Sequence, residues 1–271
     1  MLGNCGGRLK TIVDFSRAKR EQHPIVMIAA YDALMARIVA ESSADAVLVG
    51  DSAAMVVHGF PSTIHATVEM MSLHVAAVRR GAPGLLIVAD MPFLSVRRGR
   101  SAATDAAGAL MQAGANAVKV EGVAGHEDVI GHLVGSGIPV MGHLGLTPQS
   151  VHQLGGYRFQ GREAADAERL RREAGRLEEL GAFAFVLECV PEAVASRISA
   201  ERAIPSIGIG AGPGTDGQVL VLSDLLGLDA RFQPRFARRY LDGHDLVRTA
   251  IDSFVRDVRA AEFPARAEVL A

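Results

Sequence analysis

The sequence predicts an α/β protein built as one (β/α)8 TIM barrel, and three observations carry that expectation. Short apolar runs rich in Val, Ile and Leu recur: Ile25–Ala30, Ala46–Gly50, Leu85–Asp90, Ala117–Glu121, Ile138–His143, Phe183–Glu188, Ser206–Gly210 and Gln218–Leu222. They lack polar alternation, which suits strands buried on both faces of a parallel sheet. Longer Ala-rich stretches with helical spacing separate them, and 271 residues match one barrel of roughly 250. Strands alternating with helices in this number fit a closed barrel better than an open doubly wound sheet.

The helical stretches are Asp32–Ser43, Thr67–Arg80, Ala102–Gly114, Glu127–Gly135, Glu163–Leu180 and Glu192–Arg202. Gly81, Gly114, Gly137 and Gly181 stand where a helix gives way to a left-handed residue. No linker or low-complexity break interrupts the pattern. The reading is therefore a single domain over 1–271, with a short N-terminal extension to about residue 24 and a helical segment from about 229 to 271, clearest at Asp245–Ala261.

The net charge of −2 offers no field of either sign to gather nucleic acid or an anionic membrane, so neither is expected as a partner. No apolar stretch of about 20 residues is free of charge, so no membrane span is expected. The Gly-rich start does not read as a signal peptide. Cys5 and Cys189 are too few and too far apart for a disulfide framework, and a reducing cytoplasm is the default.

In a (β/α)8 barrel the C-terminal ends of the strands converge on one site. Reading those ends in order gives Tyr31, Asp51 with Ser52, Asp90, Lys119 with Glu121, His143, Glu188, and Gly208 with Gly210. Carboxylates at one rim repel unless a cation or proton intervenes. With no Cys–His cluster in view, Asp51, Asp90 and Glu121 imply Mg2+ or another divalent ion that takes oxygen ligands. The plainer reading is that such acids cap the helices that follow.

Lys119 and Glu121 are two apart and share one face of their strand. The lysine either forms a structural ion pair or binds a substrate carboxylate. Glu188 closes a run that partly desolvates it, as a general base requires, or else it pairs with Lys119 or His143. His143 either orients a substrate oxygen or is an inner-wall histidine. The glycines of 208–212 are not followed by Lys-Ser/Thr, so they make no P-loop. His58, His65, His74, His126, His132, His152 and His244 show no ligand-like clustering, and Cys189 reads as a packing residue.

Several ordered motifs go further: Val49-Gly50-Asp51-Ser52, Ala89-Asp90-Met91-Pro92-Phe93, Val118-Lys119-Val120-Glu121-Gly122, Gly142–Gln149, Gly155-Gly156-Tyr157, Leu187-Glu188-Cys189-Val190-Pro191, Ile207–Gly212 and Asp216-Gly217-Gln218. Together, from about Lys10 to about Pro264, they resemble the 3-methyl-2-oxobutanoate (ketopantoate) hydroxymethyltransferase family. The resemblance implies a barrel of the phosphoenolpyruvate/pyruvate superfamily, usually a homodecamer, using Mg2+ and 5,10-methylenetetrahydrofolate. It implies hydroxymethyl transfer to 3-methyl-2-oxobutanoate, giving 2-dehydropantoate for pantothenate and coenzyme A. By motif, Asp51 and Asp90 hold the metal, with Glu121 joining directly or through water. Ser52 and Lys119 contact the oxo acid, and Glu188 is the base.

The chain departs from the family pattern at Ile64-His65, where Leu-Pro is common. Leu94-Ser95-Val96 lacks a nearby tyrosine, Val123 replaces a glycine, and Phe263–Ala267 lacks an acidic-histidine tail. These positions bear on the lid, the folate pocket and the oxo-acid side chain accepted. Two other readings stand beside the transferase: a lyase or mutase of the same superfamily acting on a phosphonate or 2-hydroxy dicarboxylate, and a non-catalytic binding or assembly paralogue.

Overall fold

The architecture follows from eight parallel strands whose side chains are apolar on both faces. In the computed structural model, which describes residues 11–268, they are β1 (Ile25–Ala29), β2 (Ala46–Val49), β3 (Leu86–Asp90), β4 (Ala117–Glu121), β5 (Val140–Gly145), β6 (Ala184–Glu188), β7 (Ser206–Ile209) and β8 (Gly217–Val221). They close in sequence order into a barrel. Strands β2 to β5 are buried almost throughout, as the unbroken apolar runs require. Cys5, one of the two cysteines, lies outside the described residues.

Helices α1 (Ile12–Arg20), α2 (Ala33–Glu41), α3 (Ala53–Val56), α4 (Val68–Gly81), α5 (Arg100–Ala113), α6 (Glu127–Gly135), α7 (Ala164–Glu179) and α8 (Glu192–Ala200) accompany the sheet. Asp32 caps α2 by accepting from the Met35 N–H at 2.9 Å, and Thr67 caps α4 through Met70 N–H. Gly114, Gly137 and Gly181 are left-handed just past their helices. Gly81 is different. It is the last residue of α4 without positive φ, and a Cβ there would lie 2.3 Å from the Ala33 carbonyl oxygen. Close packing of α4 on α2, not a left-handed cap, requires that glycine.

The chain divides into two compact units, residues 1–220 and 221–271. The second holds α9 (Leu222–Leu225) and α10 (Gly243–Arg259), tied by Gly243 N–H donating to Leu226 O at 2.9 Å. Leu246, Val247, Ile251 and Phe254 of α10 are each more than half exposed. Among the described residues no helix is long and apolar enough to cross a membrane.

Three features differ from expectation. No helix joins β7 to β8; the Gly-rich residues 210–216 make the connection. The N-terminal extension contains α1, begun by Thr11, whose backbone N–H reaches Asp14 Oδ2 at 2.7 Å. Phe15 of α1 is buried edge-on against Phe183, which leads into β6. Strand β5 runs two residues further than its apolar run, because Leu144 and Gly145 continue the pairing with Leu187 and Glu188.

Asp216, just before β8, fastens the N-terminal rim. Its Oδ2 accepts from Lys19 Nζ of α1 at 2.7 Å, the Ser206 N–H of β7 at 2.8 Å and the Ser199 hydroxyl of α8 at 3.0 Å. Its carbonyl accepts from the Ile25 N–H of β1 at 2.9 Å. Removing such a shared acceptor strands several donors in a water-poor place. Asp216→Ala should cost about 2–4 kcal/mol of unfolding free energy by urea titration; a loss below about 1 kcal/mol would show that the cluster is not a fastening.

Candidate active site

The register of β3 to β6 sets the site. Asp90 pairs with Lys119, Glu121 with His143, and Gly145 with Glu188, so chemistry-bearing residues climb toward the C-terminal rim strand by strand. Asp51 follows β2, and Ser52 opens α3. All seven sequence-predicted residues, Asp51, Ser52, Asp90, Lys119, Glu121, His143 and Glu188, therefore belong to the mouth of one barrel. Because β5 is longer than expected, His143 lies inside the wall and is buried.

Contacts knit these residues together. Asp90 Oδ1 stands 2.9 Å from Lys119 Nζ, and its Oδ2 accepts from the Asp51 backbone N–H at 3.0 Å. Lys119 Nζ lies 2.9 Å from His143 Nδ1, and His143 Nε2 lies 3.2 Å from Glu188 Oε2. Glu121 Oε1 is 3.4 Å from His143 Nδ1. Tyr31 Oη and Ser52 Oγ share a 2.8 Å hydrogen bond. The structural alternative for each residue is present: Lys119 forms a buried ion pair with Asp90, and Glu188 faces His143.

Gln149 was not singled out from the sequence, although its motif was. Its side-chain amide donates to Asp51 Oδ2 at 2.8 Å and to Met91 O at 2.9 Å, while its backbone N–H donates to Glu121 Oε2 at 3.0 Å. Tyr157 was also missed. Burial and then the charges of Asp51, Glu188 and Glu121 hold its phenol above the ordinary value. Reading strand ends finds neither residue, because both sit on the long β5–α7 connection. His58 and His74, unconnected in the sequence, stand 2.8 Å apart Nε2 to Nε2, and His74 Nδ1 donates to Tyr31 O at 2.7 Å.

The electrostatics are dominated by crowded carboxylates. Burial, then the charges of Asp90 and Glu121, raise the Asp51 carboxyl well above its usual range. Burial alone would push the Lys119 ammonium down, but Asp90, Glu121 and Asp51 outweigh it and hold it up. Burial and Lys119 push the His143 imidazole down, yet Glu121 and Glu188 prevail and raise it to about 9. An imidazolium and an ammonium offer only donors, so they cannot share the 2.9 Å contact at Nδ1. Nδ1 can accept from Lys119 only while the imidazole is neutral, which leaves the ring proton on Nε2, 3.2 Å from Glu188 Oε2.

Four carboxylates thus face one ammonium. Glu121 Oε1 is buried without a hydrogen-bond partner among the described residues, and Asp90 Oδ1 has the Lys119 ammonium beside it. Such a donor set suits a hard divalent cation. Among the described residues no three His, Cys, Asp or Glu side chains already stand at ligand spacing. Asp51 and Asp90 are the adjoining pair, while Glu121 is held by Gln149 and His143.

Glu188 is fixed from behind. Gly145, at φ +90°, passes so close that a Cβ would lie 2.2 Å from the Glu188 carbonyl oxygen. Cys189 turns the chain at φ +49°, a strained value for a non-glycine residue, and its N–H and C=O are pinned by Ile209 and Gln160.

Comparisons with known proteins identify the family. The family model of ketopantoate hydroxymethyltransferase matches residues 9–266. The chain belongs to the ketopantoate hydroxymethyltransferase family. It is 51% identical over 255 residues to 3-methyl-2-oxobutanoate hydroxymethyltransferase of Legionella pneumophila (strain Lens), covering 94% of this chain and 97% of that one. Family membership makes it an enzyme, a hydroxymethyltransferase. Among solved structures, it resembles 2,3-dimethylmalate lyase, a PEP mutase/isocitrate lyase superfamily member, with TM-score 0.63 and 18% identity over 91% of this chain and 87% of that one. A phosphonopyruvate hydrolase in complex with oxalate and Mg2+ gives TM-score 0.63 and 11% identity over 96% and 92%. Those likenesses speak for the barrel alone. The family match, not the fold, separates the transferase from the lyase or mutase reading.

Two measurements probe the site. In divalent-free buffer, Asp51→Asn should raise Tm by a few degrees, at about 2–4 °C per kcal/mol, because it removes one of the crowded charges; an unchanged or lower Tm would mean the carboxylates do not strain one another. Burial and the Glu188 charge push the Cys189 thiol up to about 12. Native Cys189 should react with iodoacetamide at pH 8 at least ~30-fold more slowly than in urea, after allowing for the greater intrinsic nucleophilicity of a more basic thiolate. Equal rates would mean the thiol is neither buried nor suppressed.

Proposed function

We propose that the barrel mouth enolises 3-methyl-2-oxobutanoate and joins it to the one-carbon unit of 5,10-methylenetetrahydrofolate. The products are 2-dehydropantoate, a precursor of pantothenate and coenzyme A, and tetrahydrofolate. One observation carries the assignment of the base. The side chains of Asp90, Lys119, His143 and Glu121 are at most 6% exposed, whereas that of Glu188 is 18% exposed. Glu188 is the carboxylate that can meet a substrate C–H while its neighbours hold the field around it.

Asp51 and Asp90 would hold Mg2+ or another divalent ion, with Glu121 contributing directly or through water. Bound there, the ion supplies a Lewis acid for the keto and carboxylate oxygens of the oxo acid. Lys119 places a fixed positive charge toward the same oxygens, anchored by Asp90. Ser52, hydrogen-bonded to Tyr31, offers a hydroxyl to the substrate carboxylate. Glu188 takes the proton from C3, with His143 Nε2 lying 3.2 Å from its Oε2.

The enolate carbon forms a bond to the methylene carbon, and the carbon–nitrogen bonds to the folate break. Water supplies the hydroxyl; its remaining proton and the one Glu188 took from C3 go to the two folate nitrogens that are freed. The oxo acid keeps its keto group and gains one hydroxymethyl. The related phosphonopyruvate hydrolase barrel forms a complex with oxalate and Mg2+. Oxalate is a planar diacid resembling an enolised 2-oxo acid, so that pairing supports a divalent ion as a partner for such a substrate in a barrel of this kind.

The chain is read as one barrel domain with a C-terminal helical segment, working in the cytoplasm on small molecules. A homodecamer is the proposed assembly, and the exposed apolar face of α10 supports burial between copies. Glu188→Gln should retain Mg2+ and oxo-acid binding by calorimetry while its C3 deuterium exchange by NMR falls by roughly 100-fold or more. Undiminished exchange would remove Glu188 as the base.

A further inference from the structure

Transfer needs two reactants, and the residues described so far account for the oxo acid alone. Beside them lies a cavity of about 360 Å3, within the range of about 300–1,000 Å3 usual for small-molecule pockets. Its walls include Ile64 and His65, Val151 and His152, and Gly156 with Tyr157. The 3-10 turn Pro148–Ser150 joins it to the site. Gln149 of that turn bonds Asp51 and Glu121, and the chain then passes directly into the cavity wall at Val151. Tyr157 belongs to both places: it lines the cavity and feels the charges of Asp51, Glu188 and Glu121.

The walls have a definite chemistry. His65 lines the cavity and is held by Phe60, whose ring stacks on it at 4.9 Å and 5° from parallel. Gly155 and Gly156 have φ of +68° and +113°, and a Cβ at either would meet nothing within 4 Å. The left-handed backbone calls for glycine at both positions, and the open space beside them leaves bare backbone that a flat ring can approach. His65 Nδ1 lies 3.1 Å from the Ser62 carbonyl oxygen, which can only accept, so Nδ1 carries the proton and Nε2 is left an acceptor. Among the described residues, no lysine or arginine lines the cavity. It therefore suits a flat, uncharged heterocycle with N–H donors on its edge better than a phosphate.

We propose that this cavity receives the reduced pterin ring of the one-carbon donor, with Tyr157 at the junction between that ring and the oxo acid. The inference rests on the transferase reading above and adds the place of the second substrate.

The chain has no tryptophan, so a single indole can report on the cavity. His152→Trp, saturated with Mg2+ and the oxo acid, should be quenched saturably by tetrahydrofolate. Leu73→Trp, on the exposed face of α4, should show no saturable quenching. In steady-state kinetics, His65→Ala and Tyr157→Ala should each raise KM for methylenetetrahydrofolate at least tenfold, while KM for the oxo acid moves less than twofold. The inference is overturned if the wild-type enzyme makes product yet His152→Trp is quenched no more than Leu73→Trp. An unchanged donor KM in both alanine variants overturns it equally, even if the indole variant fails to fold. Wild-type protein that neither exchanges C3 nor forms product would instead bring down the transferase reading, and this proposal with it.

Discussion

Everything at the barrel mouth depends on one imbalance: several carboxylates drawn out of water around a single ammonium. Asp51, Asp90, Glu121 and Glu188 come from four separate places in the sequence, so no local propensity gathers them. The closed sheet does, at an electrostatic cost offset only in part by Lys119 and by the donors of Gln149. A cation stabilises such a group because the negative charge is already assembled. The protein invests folding energy in a site poised for positive charge.

The rim was legible in the sequence for a physical reason. A strand buried on both faces must be apolar until it leaves the barrel, so an abrupt acid, lysine or histidine marks its end. That rule located Asp51, Asp90, Lys119, Glu121 and Glu188, and it placed every strand within two residues. It failed where the determinants are not on strands. Gln149, Tyr157 and the His58–His74 pair reach their partners by the path of loops and helix faces, which spacing does not encode. The extent of β5 was misjudged because Leu144 and Gly145 look like the start of a loop, yet pairing with β6 carries the strand through them. Helix α1 escaped notice because it is strongly charged, with only Phe15 fully buried.

The barrel itself says little about chemistry. Structures of lyases, hydrolases and this transferase chain superpose over most of their length while sharing few residues. What distinguishes them must lie in the connections above the strands. In this chain the β5–α7 connection is the richest of these, since it supplies both the clamp on two carboxylates and part of the neighbouring cavity.

The clasp at Asp216 bears on how the molecule is made. The first strand is closed by the eighth, so the free edge of β1 must wait for almost two hundred residues to leave the ribosome before its partner exists. Until then a bare, sticky border is open to wrong neighbours. The residue that ends this wait arrives immediately ahead of the closing strand and brings ties to the start of the chain with it. Completion of the ring and fastening of its base are therefore one late event.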